Sequence, residues 1–209
     1  FIPQNKISIE YIEKTLENTI TKLIGETNPK AIAIALSGGI DSILTLAVIK
    51  KKYPQTNIEA ISIKFADSID ETIAAKKVAD HYKINHHILE LENYLEELPK
   101  AISIIKLPFW DLHWYYVAKK AKTLSKYLAS GDGGDELFGG YTFRYKKFLS
   151  LVSKKSNPKD KVKAYLECHE RDRVSNQEEL FGNKIKFTWS DIHSILLPYF
   201  DNSLSLLEQ

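Results

Sequence analysis

The sequence of 209 residues contains no methionine, one cysteine and no long apolar run. Because Cys168 stands alone, an internal disulfide, a CxxC redox pair and a zinc site built on several cysteines are all excluded, and the cytoplasm is the default location. The longest uncharged runs, 31–40 and 42–49, fall short of the roughly 20 apolar residues that span a membrane. We therefore expect no membrane association.

The sequence also lacks an excess of either charge. Lys and Arg total 29 against 27 for Asp and Glu, and the net charge of +2 gives no electrostatic reason to expect a nucleic-acid partner. Hydrophobic residues make up 44% and charged residues 27%, as in ordinary globular proteins. The start at Phe1 and the missing methionine indicate an incomplete chain, so we expect this sequence to belong to a longer protein.

Apolar strands and helical patterns alternate along most of the chain. An amphipathic helix is predicted over 7–24, and the wholly apolar run 31–36 is typical of a strand covered on both faces. Further helices are predicted over 41–52, 68–83, 112–124, 142–155 and 158–171, and further strands over 58–65, 87–91 and 127–130. This alternation predicts βαβ units and therefore an α/β fold with a parallel, helix-covered sheet.

A glycine turn lies between the first predicted strand and the next helix. Its sequence is Ser37-Gly38-Gly39-Ile40-Asp41-Ser42. A turn at this position aims helix N–H groups at one point, where the helix dipole also favours an anion such as phosphate. The two glycines let the backbone approach closely, and the two serines can donate from their hydroxyls. Asp41 would repel phosphate, which predicts an intervening magnesium ion.

Two other phosphate motifs do not match this turn, since no lysine follows the glycines as in a Walker A loop and the spacing is not GxGxxG. The alternative is an ordinary glycine turn in which Asp41 or Ser42 only caps the helix. The flanking strand and helix favour pyrophosphate binding. The segment resembles the PP-loop of ATP pyrophosphatases, which leave AMP on a substrate and release pyrophosphate.

A second glycine-rich motif covers 130–141, with the sequence SGDGGDELFGGY. It contains five glycines and three acidic residues and follows another predicted strand. Loops at the carboxyl ends of strands converge on one crevice in an α/β sheet. We therefore expect Asp41 and Asp135 to face the same magnesium ion. The alternative is an acidic surface turn.

Together the two motifs resemble the synthetase domain of glutamine-dependent asparagine synthetases and of their β-lactam-synthetase relatives. The segment 108–111, PFWD, and the pair Arg144-Tyr145 add to this resemblance, which covers about 30–147. It implies a doubly wound parallel sheet of the PP-loop ATP pyrophosphatase (adenine nucleotide alpha hydrolase-like) type. The implied domains are an N-terminal helix over 1–29, the PP-loop domain over 30–147, and a helical extension over 148–209 that forms part of an incomplete substrate lobe.

The resemblance also implies roles for individual residues in binding ATP, magnesium and the acyl substrate. The pyrophosphate and magnesium residues are Ser37, Gly38, Gly39, Asp41 and Ser42, with Asp135 as second magnesium ligand. The backbone at Leu36 and Ile63 is expected to line an adenine pocket, and Ser130, Gly131 and Asp132 to border ATP and the acyl substrate. Asp132, Asp41 and Asp135 are the implied catalytic residues, although many members carry Glu at the position of Asp132.

The implied function is an ATP-dependent, AMP-forming ligase that adenylates aspartate as β-aspartyl-AMP and then amidates it with ammonia. No amidotransferase domain accompanies these motifs here, so the ammonia is expected from elsewhere, and a separate glutaminase subunit and a homodimer are partners to test. The alternatives are another PP-loop amide or lactam synthetase, a noncatalytic ATP-binding module, and a tRNA thiolase, which the single cysteine disfavours.

Other polar features have simpler interpretations. The sequence Ser68 to Glu71 matches a capping box that starts a helix, so Asp70 is only a weak site candidate. His86 and His87 are neighbours on a predicted strand, and such neighbours point to opposite faces and cannot share one metal ion.

Near the C-terminal end, Cys168 and His169 point apart on a predicted helix, which makes Cys168 a structural residue rather than a nucleophile. Solvated helix faces account for a group of five lysines, with an acidic partner as the alternative. These are Lys154, Lys155, Lys159, Lys161 and Lys163.

Overall fold

The computed structural model describes residues 8–25, 29–65, 70–106, 111–169 and 189–200. The chain divides into two compact units, 1–134 and 135–209. Ser68, residues 108–110 and the N-terminal end of the first predicted helix lie outside the described residues. The predicted domain boundaries after residues 29 and 147 stay predictions.

The first unit contains a four-stranded sheet and its flanking helices. The helices are α1 (Ile9–Ile24), α2 (Ile40–Lys52), α3 (Thr72–Tyr82), α4 (Leu98–Ile105) and α5 (Leu112–Leu124). The strands are β1 (Ala31–Ala35), β2 (Asn57–Phe65), β3 (Asn85–Leu91) and β4 (Leu128–Ala129). Each predicted strand and helix of this unit is present, and α4 is an additional helix that the sequence pattern did not indicate.

The sheet confirms the predicted α/β class. Its strand order is β3-β2-β1-β4, and all three strand pairs are parallel, with Ile34 opposite Ala60 of β2 on one side and opposite Ala129 of β4 on the other. The chain moves from β1 outward to β2 and β3, then returns to place β4 on the other side of β1. Because parallel crossovers are right-handed, this reversal sends the later helices to the opposite face.

Both faces of the sheet are covered by apolar helix surfaces. On one face Ile32 and Ile34 join a buried cluster with Ala75 and Ala79 of α3. On the other face Ala33 packs in a cluster with Val117 and Ala121 of α5. Burial on both faces explains why β1 is apolar at every position, and it makes the sheet doubly wound.

One predicted helix start is wrong. The helix α3 begins at Thr72, and neither Asp70 nor Glu71 is helical. The Asp70 carboxylate accepts hydrogen bonds from the Thr72 backbone N–H at 3.0 Å and from the Thr72 hydroxyl at 2.5 Å. Asp70 is therefore the side chain that organises this helix start, and Ser68, the first residue of the predicted capping box, lies outside the described residues.

The second unit is helical in its described part. Its helices are α6 (Gly134–Phe138, which begins at the last residue of the first unit), α7 (Thr142–Leu151), α8 (Pro158–Cys168), α9 (Trp189–Leu196) and a 3₁₀ turn (Leu197–Tyr199). Phe200, 6% exposed, packs beside the rings of Phe148 and Tyr165. Burial raises the pKa of the Cys168 thiol, which fits a structural cysteine.

The interpretation of the lysine group as solvated is wrong at one position. Lys161 is only 2% exposed and lies on the buried side of α8 beside Val162 and Ala164. The other four lysines of the group are exposed, as predicted. Charge alone did not distinguish Lys161 from its neighbours.

The two adjacent histidines of β3 have separate partners, which confirms that they point to opposite faces. His86 Nε2 lies 2.8 Å from Ser62 Oγ, whereas His87 Nε2 lies 2.6 Å from Glu59 Oε2. Asn85 also donates to the Glu59 carboxylate at 3.1 Å. Burial raises the pKa of Glu59, but the hydrogen bonds from His87, Asn85 and Asn57 outweigh it and leave that pKa below its ordinary value.

We predict that Glu59→Gln lowers the free energy of unfolding by about 1–3 kcal/mol at neutral pH, because His87, Asn85 and Asn57 lose the buried carboxylate to which they donate. The lowered pKa of Glu59 stabilises the fold fully above the ordinary value of 4.5 and less as the pH falls through the folded-state value. The difference between wild type and variant should therefore shrink below that pH. Urea unfolding at several pH values measures it.

The matched control is Glu90→Gln, since the Glu90 side chain is 72% exposed in its ion pair with Lys64. Its effect should stay within about 0.5 kcal/mol. Equal losses for the two variants would contradict the role of Glu59.

Candidate functional site

The two glycine-rich loops begin at neighbouring strands of the sheet. The first follows β1 and the second follows β4, and these strands pair directly, with β4 at the edge of the sheet. From β1 the chain turns toward β2, whereas β4 is reached by the crossover that returns from β3. Such a point of reversal leaves a crevice at the carboxyl ends of the strands, where open α/β sheets bind ligands.

Glycines let the second loop pack directly onto the start of α2. A Cβ added at Gly131 would lie 2.6 Å from the backbone nitrogen of Ser42 and 2.7 Å from the carbonyl carbon of Asp41. At Gly134 it would lie 2.5 Å from the Asp41 carboxyl carbon. A side chain does not fit against the backbone at Gly131, and one at Gly134 would displace the Asp41 carboxylate, so glycine is what lets the two motifs meet in this way.

Thr45 adds a hydrogen-bonded link between the two loops. Its hydroxyl is 2.9 Å from the carbonyl oxygen of Asp41 and 3.4 Å from that of Ser130. Thr45 was not among the predicted site residues. Its position one helical turn after Asp41 was the available signal, because residues four apart share a helix face.

The start of α2 is the N-terminus that the first motif predicts for an anion. Its N-cap is Gly39, and within the described part of the chain no side chain makes the capping hydrogen bond. The alternative in which Asp41 or Ser42 serves as N-cap is therefore wrong. The first N–H groups of a helix need partners from outside it, and an anion supplies them.

Hydrogen bonds inside the first loop give its two serines different positions. The Ser42 hydroxyl, 6% exposed as a residue, donates to the Gly39 carbonyl at 2.9 Å. The exposed Ser37 accepts from the Gly39 N–H at 3.2 Å through Oγ. Ser42 thus orders the loop, and Ser37 is the serine at the surface.

Gly38 holds the loop close to a third element. Its φ is +80°, a conformation that favours glycine, and an added Cβ would lie 2.7 Å from Cβ of Ala74 in α3. The chain therefore leaves β1 in a direction that a larger residue does not allow.

Of the predicted adenine-lining positions, Leu36 follows the end of β1 and Ile63 lies in β2. Leu36, 1% exposed, donates its N–H to the Ile61 carbonyl at 2.9 Å and accepts from the Ser62 hydroxyl at 2.5 Å. Ile63 pairs with Leu89 of β3. Sequence reasoning did not identify Ser62, because its contact with Leu36 depends on the register of β1 against β2.

The acidic residues of the second motif are divided between the units. Asp132 is exposed in the first unit, and its N–H donates to Ser130 Oγ at 3.3 Å. Asp135 belongs to the second unit, in which Tyr141 donates to the Glu136 carboxylate at 2.7 Å. That hydrogen bond, with burial, raises the pKa of Tyr141 to about 12.

A magnesium ion fits the donor chemistry of this site. No three His, Cys, Asp or Glu side chains gather into a metal-holding group among the residues that the structure describes. Magnesium does not need such a group, since it is usually held by one or two carboxylates together with substrate phosphates and water. Asp41, in the first turn of α2, supplies one carboxylate.

Comparison with known proteins identifies the family of this chain. The model of the asparagine synthase family matches residues 13–201. The chain belongs to the asparagine synthase family. This membership confirms the resemblance drawn from the two glycine-rich motifs.

Individual family members cover different shares of the chain. The glutamine-hydrolysing asparagine synthetase 1 of Bacillus subtilis is 37% identical over 122 residues, which are 56% of this chain and 19% of that protein. A relative in Methanocaldococcus jannaschii is 31% identical over 172 residues, which are 72% of this chain and 33% of the relative. The chain therefore spans a third or less of the length of these two proteins.

Among solved structures, the U34-tRNA thiolase of Methanococcus maripaludis is 21% identical to this chain, with a TM-score of 0.47. The match covers 95% of this chain and 75% of the thiolase.

In the described part of the chain, the helices are too short or too polar to cross a membrane.

We predict that Gly131→Ala weakens the binding of ATP with magnesium by about tenfold or more, because the new methyl group collides with backbone atoms of α2 and must push the loop away. Equilibrium dialysis or titration calorimetry measures the dissociation constant. Thermal unfolding shows whether the variant remains folded.

Gly133→Ala is the control in the same loop. An added Cβ there meets nothing within 4 Å, although its φ of +89° makes the change strained. This strain costs about 1–2 kcal/mol of stability but leaves the loop against α2. Equal loss of ATP affinity in both variants would contradict the packing argument.

Proposed function

We propose that this chain is the ATP-using part of an asparagine synthetase-like ligase. The carboxylate of aspartate attacks the α-phosphorus of ATP, pyrophosphate leaves, and β-aspartyl-AMP forms. Ammonia then attacks the acyl carbon, which yields the amide and AMP. Activation is necessary because a free carboxylate is charged and has no good leaving group.

The observation that carries this proposal is the contact between the two motifs at the chain-reversal point of the sheet. The loop 130–134 packs on the start of α2, directly beside Asp41 and Ser42. The N-terminus of α2, which no side chain of the described residues caps, and the carboxylate of Asp41 then lie at the same point. This combination suits a magnesium-bound pyrophosphate better than it suits a neutral ligand.

The residues of the first loop bind and orient the phosphates. The N–H groups that begin α2 offer donors to an anion, and Ser37 lies at the surface beside them. Donors fixed before the reaction stabilise charge that develops on the leaving group without reorganising. Holding the carboxylate in line with the α-phosphorus accounts for further acceleration.

Asp41 and Asp135 would hold the magnesium ion in this proposal, and Asp132 would lie next to the acyl substrate. When bound, magnesium supplies positive charge that neutralises the departing pyrophosphate. The backbone at Leu36 and Ile63 would line the adenine pocket, and Ser130 and Gly131 would border ATP. These roles follow from the family resemblance. Each can be tested by replacing the residue concerned.

The decisive experiment is exchange of labelled pyrophosphate into ATP. It is run on the purified protein with aspartate, with other carboxylates and with no carboxylate, and in each case with and without ammonia. We expect exchange that requires aspartate, and AMP as the product when ammonia is added.

The outcomes separate the alternatives. Exchange with a different carboxylate would favour another amide or lactam synthetase, and ATP binding with no exchange would favour a noncatalytic module. Release of ADP would rule out the adenylation mechanism altogether. A separate glutaminase subunit, a homodimer and a cytoplasmic location stay predictions.

We predict that Asp41→Asn lowers the exchange rate by at least about a hundredfold, since loss of the carboxylate removes a magnesium ligand at the leaving group, a change on the scale of a lost transition-state contact. Thermal unfolding should show that the variant remains folded. Asp80→Asn is the control, because the Asp80 side chain is 62% exposed in a pair with Lys76. A fully active Asp41→Asn protein would refute the role of Asp41.

A further inference from the structure

A chain of hydrogen bonds runs from β3 through β2 to the end of β1. His86 Nε2 is 2.8 Å from Ser62 Oγ, and Ser62 Oγ is 2.5 Å from the Leu36 carbonyl oxygen. A carbonyl can only accept, and a hydroxyl has a single proton, so the Ser62 proton lies on the Leu36 side. His86 must then donate its Nε2–H to Ser62.

This chain of hydrogen bonds ends at the residue that precedes the first glycine-rich motif. The Leu36 N–H is bonded to Ile61 at 2.9 Å and the Leu36 carbonyl to Ser62, so β2 holds both backbone polar groups of Leu36. Ser37 follows immediately. The plane of the Leu36–Ser37 peptide therefore fixes the direction in which the loop leaves the sheet.

The surroundings of His86 favour its neutral ring, in which the hydrogen bond to Ser62 sets the nitrogen that carries the proton. Burial lowers the pKa of His86, the charge of Lys76 in α3 and the neighbouring His87 lower it further, and Asp80 opposes them. A neutral imidazole carries one N–H. In this structure that N–H is used by Ser62, which is 4% exposed.

We propose that His86, acting through Ser62, is a positioning residue for the nucleotide. It holds the Leu36 carbonyl in place and thereby orients the loop 37–39 toward the phosphates. This inference rests on the proposed function, because it assumes that ATP binds at this loop. It assigns His86 no contact with the substrate.

His87 is a matched control for a merely structural role. It is the next residue on the same strand, and its Nε2 is hydrogen-bonded to the Glu59 carboxylate at 2.6 Å. It points to the opposite face of the sheet and has no hydrogen bond to Leu36 or Ser62 among those of the described residues. Replacement of either histidine should lower stability, but only His86 should affect the nucleotide.

The experiment measures the dissociation constant of ATP with magnesium for His86→Leu, His86→Gln and His87→Leu in the full protein. Thermal unfolding is recorded for each. We expect His86→Leu to weaken ATP binding by about tenfold, the scale of one hydrogen bond. His86→Gln should bind within about threefold of wild type, because its amide can donate to Ser62. His87→Leu should bind as wild type does.

Ser62→Ala provides a second route if His86→Leu does not fold, and it should weaken ATP binding without any change at His86. Wild-type affinity in both His86→Leu and Ser62→Ala, or equal weakening in His86→Leu and His87→Leu, would overturn the positioning role. The expected binding pattern without pyrophosphate exchange would overturn the proposed catalytic function and leave the role of His86 intact. Absence of ATP binding by wild-type protein would overturn both.

Discussion

The close contact of the second glycine loop with the start of α2 is the constraint on which the candidate site depends. At Gly131 and Gly134 the backbone of one motif lies where any side chain would overlap atoms of Asp41 or Ser42. Gly131 tolerates few substitutions, because it faces backbone atoms of α2 that cannot rotate away, whereas Gly134 faces the side chain of Asp41. The two motifs therefore depend on each other, and neither forms the site alone.

The order of the strands explains why two segments so distant in sequence meet. The chain builds β2 and β3 on one side of β1, and only then returns to add β4 on the other side. The helices after β1 and before β4 consequently cover opposite faces, and the two loops meet at the carboxyl edge. The apolar sequence of β1 is a requirement of this topology, since its side chains are buried under helices on both faces.

Sequence reasoning recovered the features that depend on neighbours in the chain and missed those that depend on register. The parallel sheet, the two motifs and α5 follow from short-range patterns, and the structure has them. The late start of α3 depends on how Asp70 meets Thr72, and the burial of Lys161 depends on what packs against α8. The contacts of Ser62 with Leu36 and His86 require the alignment of three strands, which no local pattern specifies.

In strand β2, side chains point alternately to the two faces of the sheet. Two residues close in sequence can therefore serve different purposes, one stabilising the sheet and the other positioning the candidate site. Glu59 and Ser62 lie three positions apart, so their side chains point to opposite faces, and each meets one of the two neighbouring histidines of β3. Glu59 stands near the amino end of the strand, opposite Ala33 of β1, and its hydrogen bonds join β2 to β3. Ser62 stands toward the carboxyl end and reaches the last residue before the first motif. Two adjacent histidines of the same chemistry therefore act on different parts of the molecule, because a strand turns successive side chains in opposite directions.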